Sequence, residues 1–326
     1  MISVIIPYYN PSGDALLEEL LVRAISSAVS QPTSSPDDIE VIVVDDGSPV
    51  PPRDAVSSFD SSQIRLIEAP HGRLGAARNR GIEAARGEII SFLDADDYYF
   101  KDSLLPCVKA MQSAGADLLG FRFVMLYEID GTISASTVTP KFSAPVSGQK
   151  YMAEHTPFGS SCMYLIRRSL LTDNNLRFAE NTYMEDEDFT PRLLFFSRKF
   201  VESDAEVYAY CRRKGSITTA PIYDERAAST LGVLRRLIAF REEHANGFCD
   251  GLDRKIRFLA MDHIRRTLRP PDWKCAIPVQ ADALRELGLW PLITAPYGYK
   301  YRLFTFLTRS RAGIRILRLN ERRYSL

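Results

Sequence analysis

The most constraining feature of this chain is the alternation in its first third. Short runs rich in β-branched residues, at 2–6 (Ile-Ser-Val-Ile-Ile), Ile39–Val44, Ile64–Ile67 and Glu88–Leu93, are separated by helical patterns. Between the first two runs, Asp14 to Val29 carries Leu16, Leu17, Leu20, Leu21, Ile25 and Ala28 at helical spacing. Between the last two, Gly75 to Ala85 is alanine-rich and stops at Gly87. Strands alternating with helices predict an α/β fold with a largely parallel sheet and helices on both faces. Ligands of such sheets bind beyond the carboxyl ends of the strands. The residues following the strands therefore matter most. They are Pro7-Tyr8-Tyr9-Asn10, Asp45-Asp46-Gly47-Ser48 and Asp94-Ala95-Asp96-Asp97.

Acidic side chains thus gather where a ligand is expected. Aspartates also cap helices and turns, which accounts for many single cases. Three like charges within four residues are different. In a partly buried cleft they raise one another's pKa unless a cation compensates. A hard divalent ion, Mn²⁺ or Mg²⁺, is the natural partner, taking one or two carboxylates and the oxygens of a diphosphate.

Composition supports this division of the chain. The 41 basic and 41 acidic residues cancel, yet residues 1–120 have a net charge of −9, 121–240 of +1, and 241–326 of +8. At 45% hydrophobic and 25% charged the chain has the composition of a globular protein. No stretch approaches the roughly 18 apolar residues of a membrane span. The start has no basic n-region or small-residue cleavage site, so no signal peptide is expected. Five scattered cysteines without a Cys-x-x-Cys pair indicate neither a disulfide framework nor a zinc ribbon.

Several chemistries are excluded. There is no Gly-x-x-x-x-Gly-Lys-Ser/Thr loop, and the first strand runs into Pro-Tyr-Tyr-Asn rather than a Gly-x-Gly-x-x-Gly turn. Neither Gly-x-Ser-x-Gly nor His-Glu-x-x-His occurs, and only four histidines are present.

The middle of the chain is less regular. Residues 117–128 and 132–139 read as a strand pair about the Asp130-Gly131 turn. Ser161–Arg167 and Glu206–Arg212 read as strands, and Glu187–Ser197 as a helix. From about Pro221 the pattern becomes helical, over Thr230–Phe240, Leu252–Leu268 and Pro278–Leu287. A boundary is expected near residue 220.

Four blocks, Ser3-Val4-Ile5-Ile6-Pro7-Tyr8-Tyr9-Asn10, Val43-Val44-Asp45-Asp46-Gly47-Ser48, Gly75-Ala76-Ala77-Arg78-Asn79-Arg80-Gly81 and Phe92-Leu93-Asp94-Ala95-Asp96-Asp97, resemble in order and spacing the family 2 glycosyltransferases of the GT-A fold. Weaker likeness continues through Met184-Glu185-Asp186-Glu187-Asp188-Phe189 and Tyr210-Cys211-Arg212-Arg213-Lys214-Gly215-Ser216. The resemblance implies a Rossmann-like mixed sheet over residues 1–220, with a nucleotide-sugar half at about 1–105 and an acceptor half at about 106–220. A helical region, 221–326, follows.

It also implies roles. Pro7, Tyr9, Asn10, Asp45 and Asp46 would line the base and ribose pocket. Arg78 and Asn79 would approach the ribose or diphosphate, beside Ala95. Asp94 and Asp96 form the Asp-x-Asp motif, with Asp96 a metal ligand and Asp94 shared between ribose and metal. Asp186 would be the general base of an inverting transfer. Arg212 would contact the donor from a closing loop, or sit in a solvated basic turn. The implied donor is a nucleotide-sugar, UDP-linked by expectation, and the acceptor a glycan or lipid-linked glycan of bacterial surface polysaccharide assembly. The chain lacks the Gln-x-x-Arg-Trp of processive synthases, so one sugar per encounter is expected. A sugar-phosphate nucleotidyltransferase and a non-catalytic nucleotide- or glycan-binding protein remain the alternatives.

From Tyr297 to Leu326 there are eight basic residues and one acid, Glu321, interleaved with aromatics and leucines. Such a segment suits an anionic membrane surface, placing the protein in the cytoplasm at the membrane's inner face. The alternative is a helix packed on the protein. Nucleic-acid binding has no recognition motif to support it.

Overall fold

The computed structural model describes residues 1–32, 38–59, 62–127, 139–212, 223–245, 249–293 and 298–322. The Asp130-Gly131 turn and the Arg213–Ser216 stretch lie outside them. The chain forms two units, one of residues 1–148 and 159–220, the other of 149–158 and 221–326.

The first unit is built on an eight-stranded sheet in the order β3-β2-β1-β4-β7-β6-β8-β5. Its strands are β1 (Ile2–Tyr8), β2 (Ile39–Asp45), β3 (Ile64–Glu68), β4 (Ile89–Phe92), β5 (Tyr98–Tyr99), β6 (Leu118–Tyr127), β7 (Tyr164–Arg167) and β8 (Phe200–Arg212). The helices up to β8, in chain order, are α1 (Ala15–Val29), α2 (Arg53–Ser57), α3 (Arg73–Ala84), α4 (Leu104–Ser113), α5 (Gly148–Glu154), α6 (Arg168–Thr172) and α7 (Glu185–Phe196), of which α5 belongs to the second unit from residue 149 onward.

β1 and β2 are buried along their whole lengths, which is why they read as unbroken apolar runs rather than alternating ones. β1 pairs in parallel with both β2 and β4, with Tyr8 opposite Asp45 and Ile5 opposite Phe92. The carboxyl ends of these strands therefore meet at one edge. The expected parallel character is interrupted after β4 and resumes where β6 pairs in parallel with β8. β7 is antiparallel to β4 and β6, and β5 is antiparallel to β8, so the sheet is mixed.

α1 starts at the Asp14 cap, whose carboxylate accepts from Leu16 N at 3.0 Å. It buries Leu21, Ala24, Ile25 and Ala28, whereas Leu16, expected on the apolar face, is exposed in its first turn. Ser161–Met163 is a 3₁₀ turn ahead of β7, not part of a strand. Its first residue donates its backbone N–H to a carboxylate of α7 rather than to a neighbouring strand.

The second unit is helical, with α8 (Tyr223–His244), α9 (Asp250–Thr267), α10 (Trp273–Glu286), α11 (Tyr299–Leu307) and α12 (Arg311–Arg322). Leu252, Ile256, Leu259, Ala260 and Ile264 of α9 are buried, as the helical spacing predicts. No helix among the described residues is long and apolar enough to cross a membrane.

Candidate active site

The site begins with one arginine. Arg78 lies in α3, is 1% exposed, and is the largest fully buried side chain among the described residues. Its Nη2 donates to Asp94 Oδ1 at 2.9 Å, and its Nη1 to Glu185 Oε1 at 2.8 Å and to Asp186 Oδ1 at 3.0 Å. Phe178 and Phe92 flank the guanidinium at 5.3 and 5.9 Å from their ring centroids. Desolvation opposes a buried charge, but the surrounding carboxylates more than offset it, and the Arg78 pKa rises well above its ordinary value.

α3 can bring Arg78 here because of Gly75. A Cβ at that position would strike the Ala179 carbonyl, so glycine lets the helix approach the segment leading to α7. Asn79 secures the same junction. It donates to Phe178 O at 3.0 Å and Glu180 Oε1 at 2.9 Å, and accepts from Phe178 N at 2.8 Å. Asn79 thus works as a backbone clamp.

Asp186 is half-buried in the first turn of α7, where its Oδ1 also accepts from Ser161 N at 3.2 Å. Burial raises its pKa, with Arg78 opposing. Glu185 is pushed up to about 7, first by burial and then by the Asp186 charge. Met184, the residue before α7, makes no side-chain cap, and Asp188 pairs instead with Arg192 at 2.6 Å. The acidic run is therefore more than a helix cap. Two of its members face Arg78 and one faces away.

Asp94, Ala95 and Asp96 are half-buried in the turn between β4 and β5. Arg23 of α1 donates to Asp96 O at 2.6 Å. Asp97, third in the run, is buried, with Tyr208 Oη donating to it at 2.6 Å and Cys211 N at 2.7 Å. Burial, then the charges of Asp94 and Asp96, push its pKa up to about 8. It anchors the turn to β8.

At the ends of β1 and β2, Tyr9 is exposed and packs on His71 with ring centroids 4.4 Å apart. His71 Nδ1 lies 2.8 Å from Asp46 Oδ2. Asp46 Oδ1 accepts from Gly72 N at 2.9 Å, and burial raises the pKa of both Asp45 and Asp46. Pro7 is buried in β1. Asn10 is buried too, its side chain bonding Tyr8 Oη at 3.1 Å and the backbone of Asp14. Asn10 shapes the loop. Arg212 is exposed at the end of β8.

The structure thus brings Arg78, Asp94 and Asp186 together, and sets Tyr9, Asp45 and Asp46 at the adjoining strand ends. The sequence reading missed Glu185, His71, Arg23 and the anchoring part of Asp97. For Glu185 the signal was present, in its position beside Asp186 at a helix start. The contacts of His71 and Arg23 are made only by the fold.

This mixed sheet, with aspartates at the ends of its parallel strands and a second carboxylate pair facing them, matches the fold of GT-A glycosyltransferase structures. The structure of S. aureus TarS 1-349 in complex with UDP-GlcNAc has this fold, with a TM-score of 0.68 over 99% of this chain and 91% of that one at 19% identity. The Glycosyl transferase family 2 model matches residues 3–174, more than half of the chain, which therefore belongs to that family.

Its relatives include EpsH of Bacillus subtilis, 29% identical over 64% of this chain and 60% of that protein. Another is the succinoglycan biosynthesis protein ExoW of Rhizobium meliloti, 28% identical over 60% of this chain and 62% of that one. The chain spans less than two thirds of the length of each.

Proposed function

We propose that this chain transfers one sugar from a UDP-sugar to a hydroxyl of a glycan or lipid-linked glycan, with inversion, in the assembly of a bacterial surface polysaccharide. The observation that carries this reading is the pairing of Arg78 with both Asp94 and Asp186, at 2.9 and 3.0 Å. A displacement at an anomeric carbon needs charge stabilisation on the leaving side and a proton acceptor on the attacking side. The two carboxylates sit on opposite arms of one guanidinium, adjacent but distinct.

In this reading the acceptor oxygen attacks the anomeric carbon and gives its proton to Asp186. The bond from that carbon to the diphosphate breaks, and the nucleoside diphosphate leaves with the bonding pair. Arg78 and Ser161 N hold Asp186 in place, and burial raises its affinity for the proton it receives. Tyr9 and His71 offer an aromatic surface for the base, and Asp45 and Asp46 lie beside it for polar contacts to base or ribose. Arg212, exposed at the end of β8, is available to the diphosphate.

Asp94 and Asp96 suit a hard divalent ion. Among the described residues no group of three or more His, Cys, Asp or Glu side chains forms a cage, so such an ion would take two protein carboxylates at most and substrate oxygens for the rest. Burial, and then their charges, raise the pKa of the neighbouring Asp97. When bound, Mn²⁺ or Mg²⁺ supplies Lewis-acid neutralisation of the leaving diphosphate.

The test is incubation with Mn²⁺ and a panel of UDP-, GDP- and dTDP-sugars, following slow hydrolysis. The reading predicts release of free sugar and UDP from one UDP-sugar. In a parallel incubation with a sugar phosphate and a nucleoside triphosphate, pyrophosphate release would identify a nucleotidyltransferase instead. Binding without turnover would identify a non-catalytic protein.

A further inference from the structure

We propose that α11 and α12 form a docking surface for an anionic phospholipid bilayer. One face of this helix pair is packed within its own unit. Thr305, Thr308, Gly313, Leu317, Arg318 and Glu321 are buried. A Cβ at Gly313 would strike the Leu307 carbonyl, so the two helices cross closely. Arg269 Nε donates to Glu321 Oε2 at 3.3 Å, and Arg265 Nη1 lies 3.9 Å from Glu321 Oε1, which fastens α12 to α9.

The other face is apolar and exposed. Tyr299, Leu303 and Phe306 of α11 are 75%, 53% and 66% exposed, and Ile316 and Leu319 of α12 are 56% and 66% exposed. Positions 299, 303 and 306 fall on one stripe of their helix, as do 316 and 319 on theirs. Lys300, Arg302, Arg309, Arg311 and Arg315 are exposed around these stripes. The single acid of the segment, Glu321, is turned toward α9, and residues 298–320 contain no other.

Large apolar side chains within a ring of cations match one partner best. The apolar bodies reach the acyl boundary while the cations meet lipid phosphates. A groove-reading nucleic-acid surface has no use for five exposed apolar side chains. A second copy of the chain would set cations against cations. The surface involves neither donor nor acceptor chemistry, so it stands or falls apart from the proposed activity.

Vesicle flotation of the full chain tests it, with phosphatidylcholine vesicles made with and without phosphatidylglycerol. Two variants accompany the parent: Arg309→Ser with Arg311→Ser and Arg315→Ser, and Phe306→Ser with Leu319→Ser. The parent should float only with phosphatidylglycerol present, and less as salt rises. Losing three cations should lower partitioning about a hundredfold, at roughly fivefold per cation. Losing the two apolar side chains should lower it about tenfold or more. Melting curves check that the variants are folded, and the arginine set, which is exposed, decides the matter should the apolar pair melt early. Equal flotation of parent and variants would overturn the proposal. So would self-association or nucleic-acid binding that the same substitutions remove in the absence of any lipid binding.

Discussion

Arg78 Nη1 lies 3.0 Å from Asp186 Oδ1, and through its other arm the same guanidinium holds Asp94 at 2.9 Å. One buried cation thus joins the carboxylate that follows β4 to the carboxylate that opens α7. Both ion pairs have a side chain 1% exposed on the arginine side, so solvent does little to screen them.

Removing that cation should be costly. Arg78→Ala leaves Asp94, Glu185 and Asp186 facing one another without compensation, and should lower stability by about 3–5 kcal/mol. Arg78→Lys keeps the charge but not the two-armed geometry, and should fall between. Urea unfolding of the three proteins measures both.

Stability should also depend on pH through Glu185. Its folded pKa is raised to about 7 from an ordinary value of 4.5, by burial and by the Asp186 charge, with Arg78 opposing and Asp94 adding to the rise. The folded state therefore binds a proton between these values that the unfolded state has released. The contribution is fully present below about pH 4.5, declines as pH rises to about 7, and is flat above. Asp186, also raised, adds to the same slope. Glu185→Gln should flatten this decline, seen in urea midpoints at about pH 5 and about pH 8.

Gly47 has φ +81°, and a Cβ there would lie 2.8 Å from His71 N. Gly47→Ala should cost about 1–3 kcal/mol and shift His71 from its contact with Tyr9. The melting temperature should drop, and donor affinity should weaken with it. Unchanged donor affinity in the destabilised variant would remove the Tyr9–His71 surface from the donor site.

Removal of divalent ions should abolish donor hydrolysis, and Mn²⁺ should restore it. Mn²⁺ and UDP together should raise the melting temperature more than either alone, the bound pair stabilising the fold by about 2.7 kcal/mol at a hundredfold excess over the dissociation constant. Scanning fluorimetry with and without chelator checks this.

Much of the parallel half of the sheet was legible in the sequence. Strands buried on both faces leave continuous apolar runs, and Asp45, Asp46, Asp94 and Asp96 stand immediately after them. The mixed half of the sheet was harder to read. β6 and β8 pair in parallel while β7 runs antiparallel to β6 and β4, a change of direction that strand composition does not encode, and the 3₁₀ turn at Ser161–Met163 looks like strand by composition. Arg78 was visible as a motif residue, but its three carboxylate partners are contacts across α3, the β4–β5 turn and α7 that periodicity cannot supply. Asn10 and Asn79 show the same limit. Their motif positions were clear, but their bonds to Asp14, Phe178 and Glu180 appear only in the fold.

The central claim is that the two carboxylate sets joined by Arg78 have separate roles. Calorimetric titration of the donor nucleotide with Mn²⁺ into Asp96→Asn and Asp186→Asn, each paired with its turnover, tests this most directly. Asp96→Asn should lose donor binding. Asp186→Asn should bind as the parent does while turnover falls by about 10²–10⁴-fold. Near-normal turnover in Asp186→Asn, or equal loss of binding in both variants, would contradict the account.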